Sequence, residues 1–447
     1  MSQRPAGLLR NTDFVRLWTA ETISQFGSQV SGLAIPLIAA TLLQVTPFEF
    51  GLLATIQFLP FILLSLPAGV WVDRLRRRPI LIVGDLGRAV ALVSIPIAFA
   101  LGDLTIWQLY IVGFIVGCLT VFFDVAYQSY LPALVERDEL VEGNSKLEIS
   151  RSAAAVVGPG FTGLVIGLIG AATAVIFDVV SFVLSAFFIW RIRRVETDPK
   201  LTATGEPAEP GLGMRREVAE GLRYVLGNRY LRSIAACTGT SNLFFNMMGA
   251  ILILYAVREI GIGAAGIGFV ISIGALGFLA GAFLANRIAT RIGVGPTIVI
   301  TAFASFPAAL LIAAAPAAYA IPLFVLAFII EGVAQVVYNI NQVSFRQAIT
   351  PGRMQGRMNA TMRFVVWGTI PIGSLLGGAL GGIIGLHETI WLAAIGQVIP
   401  FLFVLFSPVR GIGAMPAPSD DDAPDPRPGP GLGAGPMAGD PDATAPG

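Results

Sequence analysis

Residues 69–74 read Gly-Val-Trp-Val-Asp-Arg, and residues 281–287 read Gly-Ala-Phe-Leu-Ala-Asn-Arg. Each stretch ends a long apolar run, and the two stretches lie 212 residues apart, from 69 to 281. Pro159 and Pro371 have the same separation. A repeat of this length predicts two related halves that are parallel repeats about an axis normal to a membrane. Coincidence in a chain with 51 glycines is the alternative.

The composition indicates a membrane protein. Hydrophobic residues make up 55% of the 447 positions and charged residues 13%, which is too little charge to cover a soluble surface. The apolar residues fall in runs of roughly 20, the length that crosses a bilayer core. We therefore expect an all-α membrane protein of about twelve transmembrane helices in two six-helix halves. The first run carries polar residues and predicts a retained helix rather than a cleaved signal peptide.

Four segments follow from these runs. We expect an N-terminal six-helix half at 1–190, a linker at 191–231, a C-terminal six-helix half at 232–407 and a disordered tail at 408–447. Residues 217–226 predict an amphipathic helix on the membrane surface. Arginine and lysine cluster in the loops of one side, and Arg258 alone lies on the other. This asymmetry predicts a multi-pass protein of the cell (inner) membrane with the linker, the tail and both termini in the cytoplasm.

A charged motif follows the second apolar run, and it brings the first resemblance to a known family. The motif consists of Gly69, Asp73, Arg74, Arg77 and Arg78. It resembles the loop signature of the major facilitator superfamily, although Arg76 stands where that family usually has glycine. The resemblance implies the major facilitator fold. It also implies that Asp124, on the fourth helix, joins Asp73 and Arg77 in a cytoplasmic gate. A static ion pair is the alternative.

Two further blocks narrow the resemblance. The first block resembles the drug- and siderophore-exporting branch that includes macrolide efflux pumps and the enterobactin exporter, and it covers residues 122–135. The pairs Phe177-Asp178 and Ser181-Phe182 resemble the same branch. Gly158, Pro159 and Gly163 are similar to the Gly-Pro motif of exporters in this superfamily, with Thr162 in place of a glycine. Proline removes a helical hydrogen bond and glycine permits close approach, so a tight, bendable contact is expected. An ordinary packing face is the alternative.

Several acidic residues lie inside predicted membrane helices, where a charge costs about 2.5–3.5 kcal/mol on insertion scales. Glu21, Glu331 and Asp178 are candidates for proton coupling, because a buried carboxyl group can gain and lose a proton as its access to water changes. Hydrogen bonding purely for packing is the alternative. Asp85 and Arg88 are spaced i, i+3 and can satisfy each other, so we interpret that pair as structural.

Polar residues at helical spacing form stripes on three apolar helices and predict a watery cavity. The candidate cavity-lining residues are Gln25, Gln29, Asn242, Asn246, Gln335, Tyr338 and Asn339. Aromatic contacts are expected from Phe26, Phe58, Phe123, Phe244, Phe245 and Trp367 where these face the cavity. Two cysteines in apolar runs and one histidine, His387, predict neither a disulfide framework nor a metal site.

The functional prediction is a secondary active transporter, a proton-coupled exporter of hydrophobic or amphipathic small molecules such as drugs, macrolides or siderophore-like metabolites. The resemblance also implies an antiporter mechanism and a role in multidrug resistance. We expect protons and membrane lipid as partners, no nucleic acid, no cofactor and a monomer. An importer or lipid flippase on the same fold is the nearest alternative, and a scaffold or sensor is another. The chain carries no Walker A motif and no clustered catalytic residues, so an enzyme is not expected.

Overall fold

The computed structural model describes residues 8–72, 75–136, 139–194 and 214–414. Within these residues every regular element is a helix, and twelve segments are long and apolar enough to cross a membrane. The N-terminal half contains α1 Thr12–Leu37, α2 Pro47–Val72, α3 Arg77–Leu101, α4 Ile106–Leu134, α5 Leu140–Ile169 and α6 Ala171–Trp190. Helix α7, Met214–Gly227, follows. The C-terminal half contains α8 Arg229–Tyr255, α9 Ala264–Ile292, α10 Val294–Ala313, α11 Ala320–Ala348, α12 Gly352–Ile383, α13 Leu386–Gly396 and α14 Val398–Leu405.

The first helix of each half is built in the same way. Asn11 caps α1 and Asn228 caps α8, and each side-chain oxygen accepts hydrogen bonds from two backbone N–H groups of the first turn. Both helices continue into a π-helical turn, at Ile38–Leu42 after α1 and at Ala256–Ile260 after α8. Large exposed apolar side chains such as Leu168 cover the outside of the bundle, as a lipid-facing surface requires.

The two halves meet along two seams, α5 against α9 and α2 against α12. In the first, Gly268 lies against the carbonyl of Pro159 with no room for a side chain. In the second, the Thr55 hydroxyl is 3.4 Å from the carbonyl of Pro371. The two prolines of the 212-residue repeat therefore lie in equivalent positions, one in each seam, as parallel repeats require.

The close contacts between the halves lie towards one end of the bundle. We call the end formed by residues 75–78, 135–136, 139–146, 190–194, 287–294 and 346–357 the basic end, and the other the opposite end. The contact of Gly51 with Gly378 and that of Gly163 with Ala264 lie in the part nearer the opposite end. There, Nη2 of Arg258 donates to the Ala40 carbonyl at 3.1 Å, which joins the two π-helical turns. The halves are thus closed together at the opposite end.

Helix α7 covers more than the predicted amphipathic segment and packs against the start of α12. Glu220 pairs with Arg357 at 2.9 Å, and Gly221 lies directly against α12. Leu222 and Leu226 remain exposed. The rest of the predicted linker, at 195–213, lies outside the described residues.

The segment predicted as the start of a disordered tail is packed. Pro408–Gly411 form a short 3-10 helix, and Val409 is fully buried. The backbone N–H of Gly295 donates to the Ile412 carbonyl at 2.8 Å, which fixes the segment to the start of α10. The predicted boundary at 408 therefore falls within packed chain, and residues 415–447 lie outside the described residues.

Candidate transport pathway

A cavity of about 550 Å³ lies where α1 and α5 of the N-terminal half face α8–α11 of the C-terminal half. Its wall is mainly apolar, with Phe245, Phe278 and Phe328 among the larger side chains. The polar lining residues are Gln29, Ser152, Ser305, Glu331 and Gln397. Among the described residues that line it, Glu331 is the only acid and no base is present. The cavity is therefore suited to a largely apolar molecule.

Glu331 is fixed near the middle of α11. Ser305 of the neighbouring helix α10 lines the same cavity. An ionisable group at this depth in a membrane protein marks a functional site by default, because an unpaired charge there is costly. Its carboxyl group can bind a proton or the cationic group of a ligand.

The last membrane segment is interrupted at the cavity. Helix α13 ends at Gly396, α14 begins at Val398, and the intervening Gln397 lines the cavity. Pro400 has no N–H, so the Gly396 carbonyl lacks its helical donor. Gln397 is buried, with its side chain 3.5 Å from Ser241 Oγ. Discontinuous membrane helices place such polar groups at substrate sites in transporters.

The polar stripes predicted to line a cavity have different environments. Gln29 lines the cavity, whereas Gln25 donates to Glu21 at 2.6 Å and is not among the lining residues. Asn242 donates to the Val366 carbonyl of α12, and Asn246 donates back to the carbonyl of Asn242. Both amides thus bind backbone, which helical spacing alone does not reveal.

The predicted stripe on α11 also divides. Tyr338 bonds Thr238 of α8 at 2.7 Å and packs within the C-terminal half. Asn339 is exposed and accepts from Gln342 at 3.0 Å. Neither of these residues, nor Gln335, is among those that line the described cavity.

The predicted aromatic contacts separate in the same way. Phe245 lines the cavity, whereas Phe244 packs against Gly396 at the helix break. Phe58 of α2 meets Trp367 of α12 edge to face, with ring centroids 6.3 Å apart, so this pair joins the two halves. Phe123 is buried inside the N-terminal half.

The predicted gate is only partly described. Asp73 and Arg74 lie outside the described residues, and Gly69 has open space around it. Arg78 donates to the Ile189 carbonyl at 3.3 Å, which ties the start of α3 to the end of α6. Arg77 also begins α3.

Asp124 is exposed on α4, within electrostatic range of Arg88 and Arg151. These two arginines lie on α3 and α5, whereas Asp73, its predicted partner, is not described.

The Gly-Pro motif forms the seam between α5 and α9. Gly158 lies against Gln29 of α1, and Gly163 against the Ala264 carbonyl of α9. The N–H of Gly160 donates to Ser272 Oγ at 2.7 Å. Pro159 itself lines the cavity, so the motif connects the substrate-sized space to the contact between the halves.

A second polar centre lies inside the N-terminal half. Arg88 of α3 pairs with Asp85 at 2.6 Å, and its guanidinium lies between two rings, 4.3 Å from Phe123 and 4.2 Å from Phe182. Asp178 of α6 accepts from Ser181 at 3.1 Å. The sequence shows the i, i+3 pair but not the rings or the neighbouring helices.

Sequence reasoning missed Ser305, Ser272 and Gln397, whose roles depend on tertiary contacts. A lone serine or glutamine in an apolar run carries no spacing signal that distinguishes a cavity wall from packing. The described residues contain no group of three or more His, Cys, Asp or Glu side chains suited to a metal ion.

The described residues contain twelve membrane segments in two repeated halves, with a largely apolar cavity between the halves. Together with the family match, this defines a transporter of the major facilitator fold, not an enzyme. The family profile described as transmembrane secretion effector matches residues 4–428. The chain belongs to that family.

Characterised relatives include efflux pumps. The chain is 27% identical over 361 residues to the multidrug efflux pump Tap of Mycobacterium tuberculosis, covering 76% of this chain and 80% of the relative. It is 25% identical to macrolide efflux protein A of Streptococcus pyogenes over 52% of this chain and 56% of that one. The match to the transporter YfiS of Bacillus subtilis, 26% identical, spans 49% of this chain and only 50% of the relative.

Solved structures show the same fold. A bacterial homologue of the iron transporter ferroportin in an inward-facing state has a TM-score of 0.70 at 15% identity, covering 89% of this chain and 98% of that one. A bacterial homologue of the iron transporter ferroportin in an outward-facing state with soaked iron has a TM-score of 0.55 at 15% identity, covering 88% of this chain and 98% of that one. The nucleoside transporter NupG has a TM-score of 0.64 at 14% identity, covering 88% and 98%.

Proposed function

We propose that the protein is a proton-coupled exporter of hydrophobic or amphipathic small molecules and works by alternating access. The observation that carries the proposal is Glu331, the only ionisable side chain among the residues described around a largely apolar cavity of about 550 Å³ between the halves. Efflux-pump relatives favour drugs and macrolides as cargo. Siderophore-like metabolites are included in the proposal because they too are amphipathic small molecules.

The orientation follows from charge. Because arginine and lysine collect at the basic end, that end faces the cytoplasm of the cell (inner) membrane, together with both termini. Closure at the opposite end then makes this the inward-facing form. The better fit to the inward-facing ferroportin homologue than to the outward-facing one supports this assignment. A monomer suffices, since both halves of the pathway lie in one chain.

The proposal is tested by loading proteoliposomes with erythromycin or ethidium and imposing a pH gradient. The wild type should drive both compounds against their gradients, while Glu331→Gln should lose gradient-driven transport yet keep downhill exchange. Glu388→Gln removes an exposed carboxyl group at the opposite end and serves as the matched control.

Two results would reject parts of the proposal. Full gradient-driven transport by Glu331→Gln would remove its coupling role. Accumulation in the reverse direction would favour an importer, and movement of fluorescent phospholipid in place of either drug would favour a flippase.

A further inference from the structure

The cavity lies mostly inside the C-terminal half rather than evenly between the two halves. Among its described lining residues, the N-terminal half contributes Gln29 and one face of α5. The C-terminal half contributes side chains from α8, α9, α10 and α11 and from the break in its last membrane segment. Its polar lining residues are Ser305, Glu331 and Gln397. A molecule in the cavity therefore meets most of its polar partners on the C-terminal side.

The break at Gln397 is particular to the C-terminal half. Helix α6, the last membrane segment of the N-terminal half, is one unbroken helix over Ala171–Trp190. In the C-terminal half the segment stops at Gly396 and resumes at Val398, near the middle of the Leu386–Leu405 span. The fold itself does not require this break. A polar side chain placed there, at membrane depth, therefore needs a reason of its own.

Helix α8 holds the break in place from behind. Phe244 lies directly against Gly396 and leaves no room for a side chain there. Ser241, one turn earlier on α8, contacts the side chain of Gln397. Phe245, the next residue after Phe244, lines the cavity. These contacts position the Gln397 amide at the cavity wall.

The Gln397 amide keeps hydrogen-bonding capacity for a ligand. The residue is 3% exposed. Its Nε2 donates to the Ser241 carbonyl at 3.4 Å, and its Oε1 accepts from Ser241 Oγ at 3.5 Å, so both contacts are long. An amide group has two N–H donors and two acceptor lone pairs, and Ser241 takes up one of each. The remaining donor and acceptor are available to a group in the cavity, and leaving them unpaired is costly.

Packing alone does not explain this amide. Asn242 and Asn246 show what packing amides look like in the same region, because they donate to backbone carbonyls at 3.2 and 2.8 Å and do not line the cavity. Gln397 has longer contacts and does line it. An apolar side chain of the same length would fill the space against α8 without burying an amide.

We infer that Gln397 is a specificity-determining residue: its amide binds a hydroxyl or carbonyl group of the cargo, while the apolar wall holds the rest of the molecule. The inference rests on the proposed exporter function and narrows its cargo class. Molecules that carry oxygen groups on a large apolar body, as macrolides do, are preferred to cations without a hydrogen-bonding group. Glu331 attracts cations of both kinds, so charge does not distinguish them.

The test is equilibrium binding of two probes to the purified full chain in lipid nanodiscs at one fixed pH. Erythromycin carries hydroxyl and carbonyl groups, whereas tetraphenylphosphonium has no hydrogen-bonding group. Gln397→Met keeps the length of the side chain and removes the amide. It should weaken erythromycin binding by about three- to tenfold, the effect of one neutral hydrogen bond, and leave tetraphenylphosphonium binding within about twofold. In the wild type the two probes should compete, because they share one cavity.

Asn242→Leu is the matched control, because it removes a buried amide that lies outside the lining residues. It should lower the thermal unfolding midpoint without a selective loss of erythromycin binding. Equal weakening of both probes by Gln397→Met would mean that the amide only holds the helices together, and it would overturn the inference. Binding of the two probes without competition would also overturn it. If Gln397→Met does not fold, Gln397→Asn shortens the amide by one methylene and should show the same selective loss.

The binding measurement needs no gradient, so the inference and the proposed function can fail separately. A selective loss of erythromycin binding in a protein whose wild type shows no gradient-driven efflux would reject the exporter function and leave the recognition role standing. An active exporter whose Gln397→Met variant binds erythromycin as tightly as the wild type would overturn the recognition role alone.

Discussion

Arg258 contributes a hydrogen bond between the two halves at the opposite end, where the two π-helical turns meet. Its Nη2 donates to the Ala40 carbonyl at 3.1 Å. A hydrogen bond from a charged group contributes about 1.5–3 kcal/mol. Because the Arg258 side chain is exposed, solvent screening reduces its net contribution to about 1 kcal/mol or less. Arg258→Gln should therefore shift the population towards the form open at that end by up to about fivefold.

Labelling measures this shift. With Cys118 and Cys237 replaced by alanine and Ile271→Cys placed in the cavity wall, an impermeant maleimide added at the opposite end should react faster in Arg258→Gln. Arg258→Lys keeps a cationic donor and should react more like the parent protein. Equal rates in all three proteins would exclude the contact as a closing element.

At the same scale, helical spacing placed Glu21, Gln25 and Gln29 on one face of α1. The sequence could not show that Gln25 bonds Glu21 while Gln29 reaches the cavity. Nor could it show that Arg88, read as half of a local pair, lies between the rings of Phe123 and Phe182 from two other helices. Spacing reports neighbours along one helix, whereas the charge environment depends on which helices pack together.

Among the elements, α5 provides a matched pair of glycines that tests the seam. A side chain at Gly163 would lie 2.5 Å from the Ala264 carbonyl, whereas one at Gly167, a turn further along, meets nothing within 4 Å. Gly163→Ala should cost about 1–3 kcal/mol through overpacking and should slow efflux. Gly167→Ala should be neutral or stabilising by up to about 1 kcal/mol.

Thermal unfolding and erythromycin efflux of both variants check this prediction. The same response at the two positions would mean that helix propensity, not contact with α9, explains any effect. A Gly163→Ala protein with unchanged efflux would show that the close approach at the seam is dispensable.

The helix boundaries show what the apolar runs could and could not predict. About twelve spans were expected, and the last apolar run carries no signal for a break. Its break at Gln397 depends on Ser241 and on Phe244, which packs against Gly396, and these are distant in sequence. Helix α12 begins at Gly352, ahead of its apolar run, because its polar start packs against α7 rather than lipid.

For the whole molecule, the 212-residue repeat was enough to predict two related halves, because equivalent residues of a repeat occupy equivalent places in the fold. It could not predict which end is closed. The closed end is decided by a small free-energy difference between the inter-half contacts made when one end is closed and those made when the other is closed. The close backbone approaches at Gly51, Gly163 and Gly268 belong to the first set. The repeat is also imperfect where function differs, since Glu331 has only Leu119 at the equivalent position in the N-terminal half.

A cross-link across the second seam tests alternating access of the whole molecule. A Cβ at Gly381 would lie 3.2 Å from that of Pro47, close to the roughly 3.5–4.5 Å of a disulfide. In the background without native cysteines, oxidised Pro47→Cys/Gly381→Cys should lock the opposite end shut and abolish erythromycin transport, which reduction should restore. Pro47→Cys/Gly382→Cys is the matched control, because Gly382 has nothing within 4 Å and should not cross-link. Full transport by the oxidised Gly381 pair would mean that the seam between α2 and α12 stays closed throughout the cycle, which a rocking of the two halves does not allow.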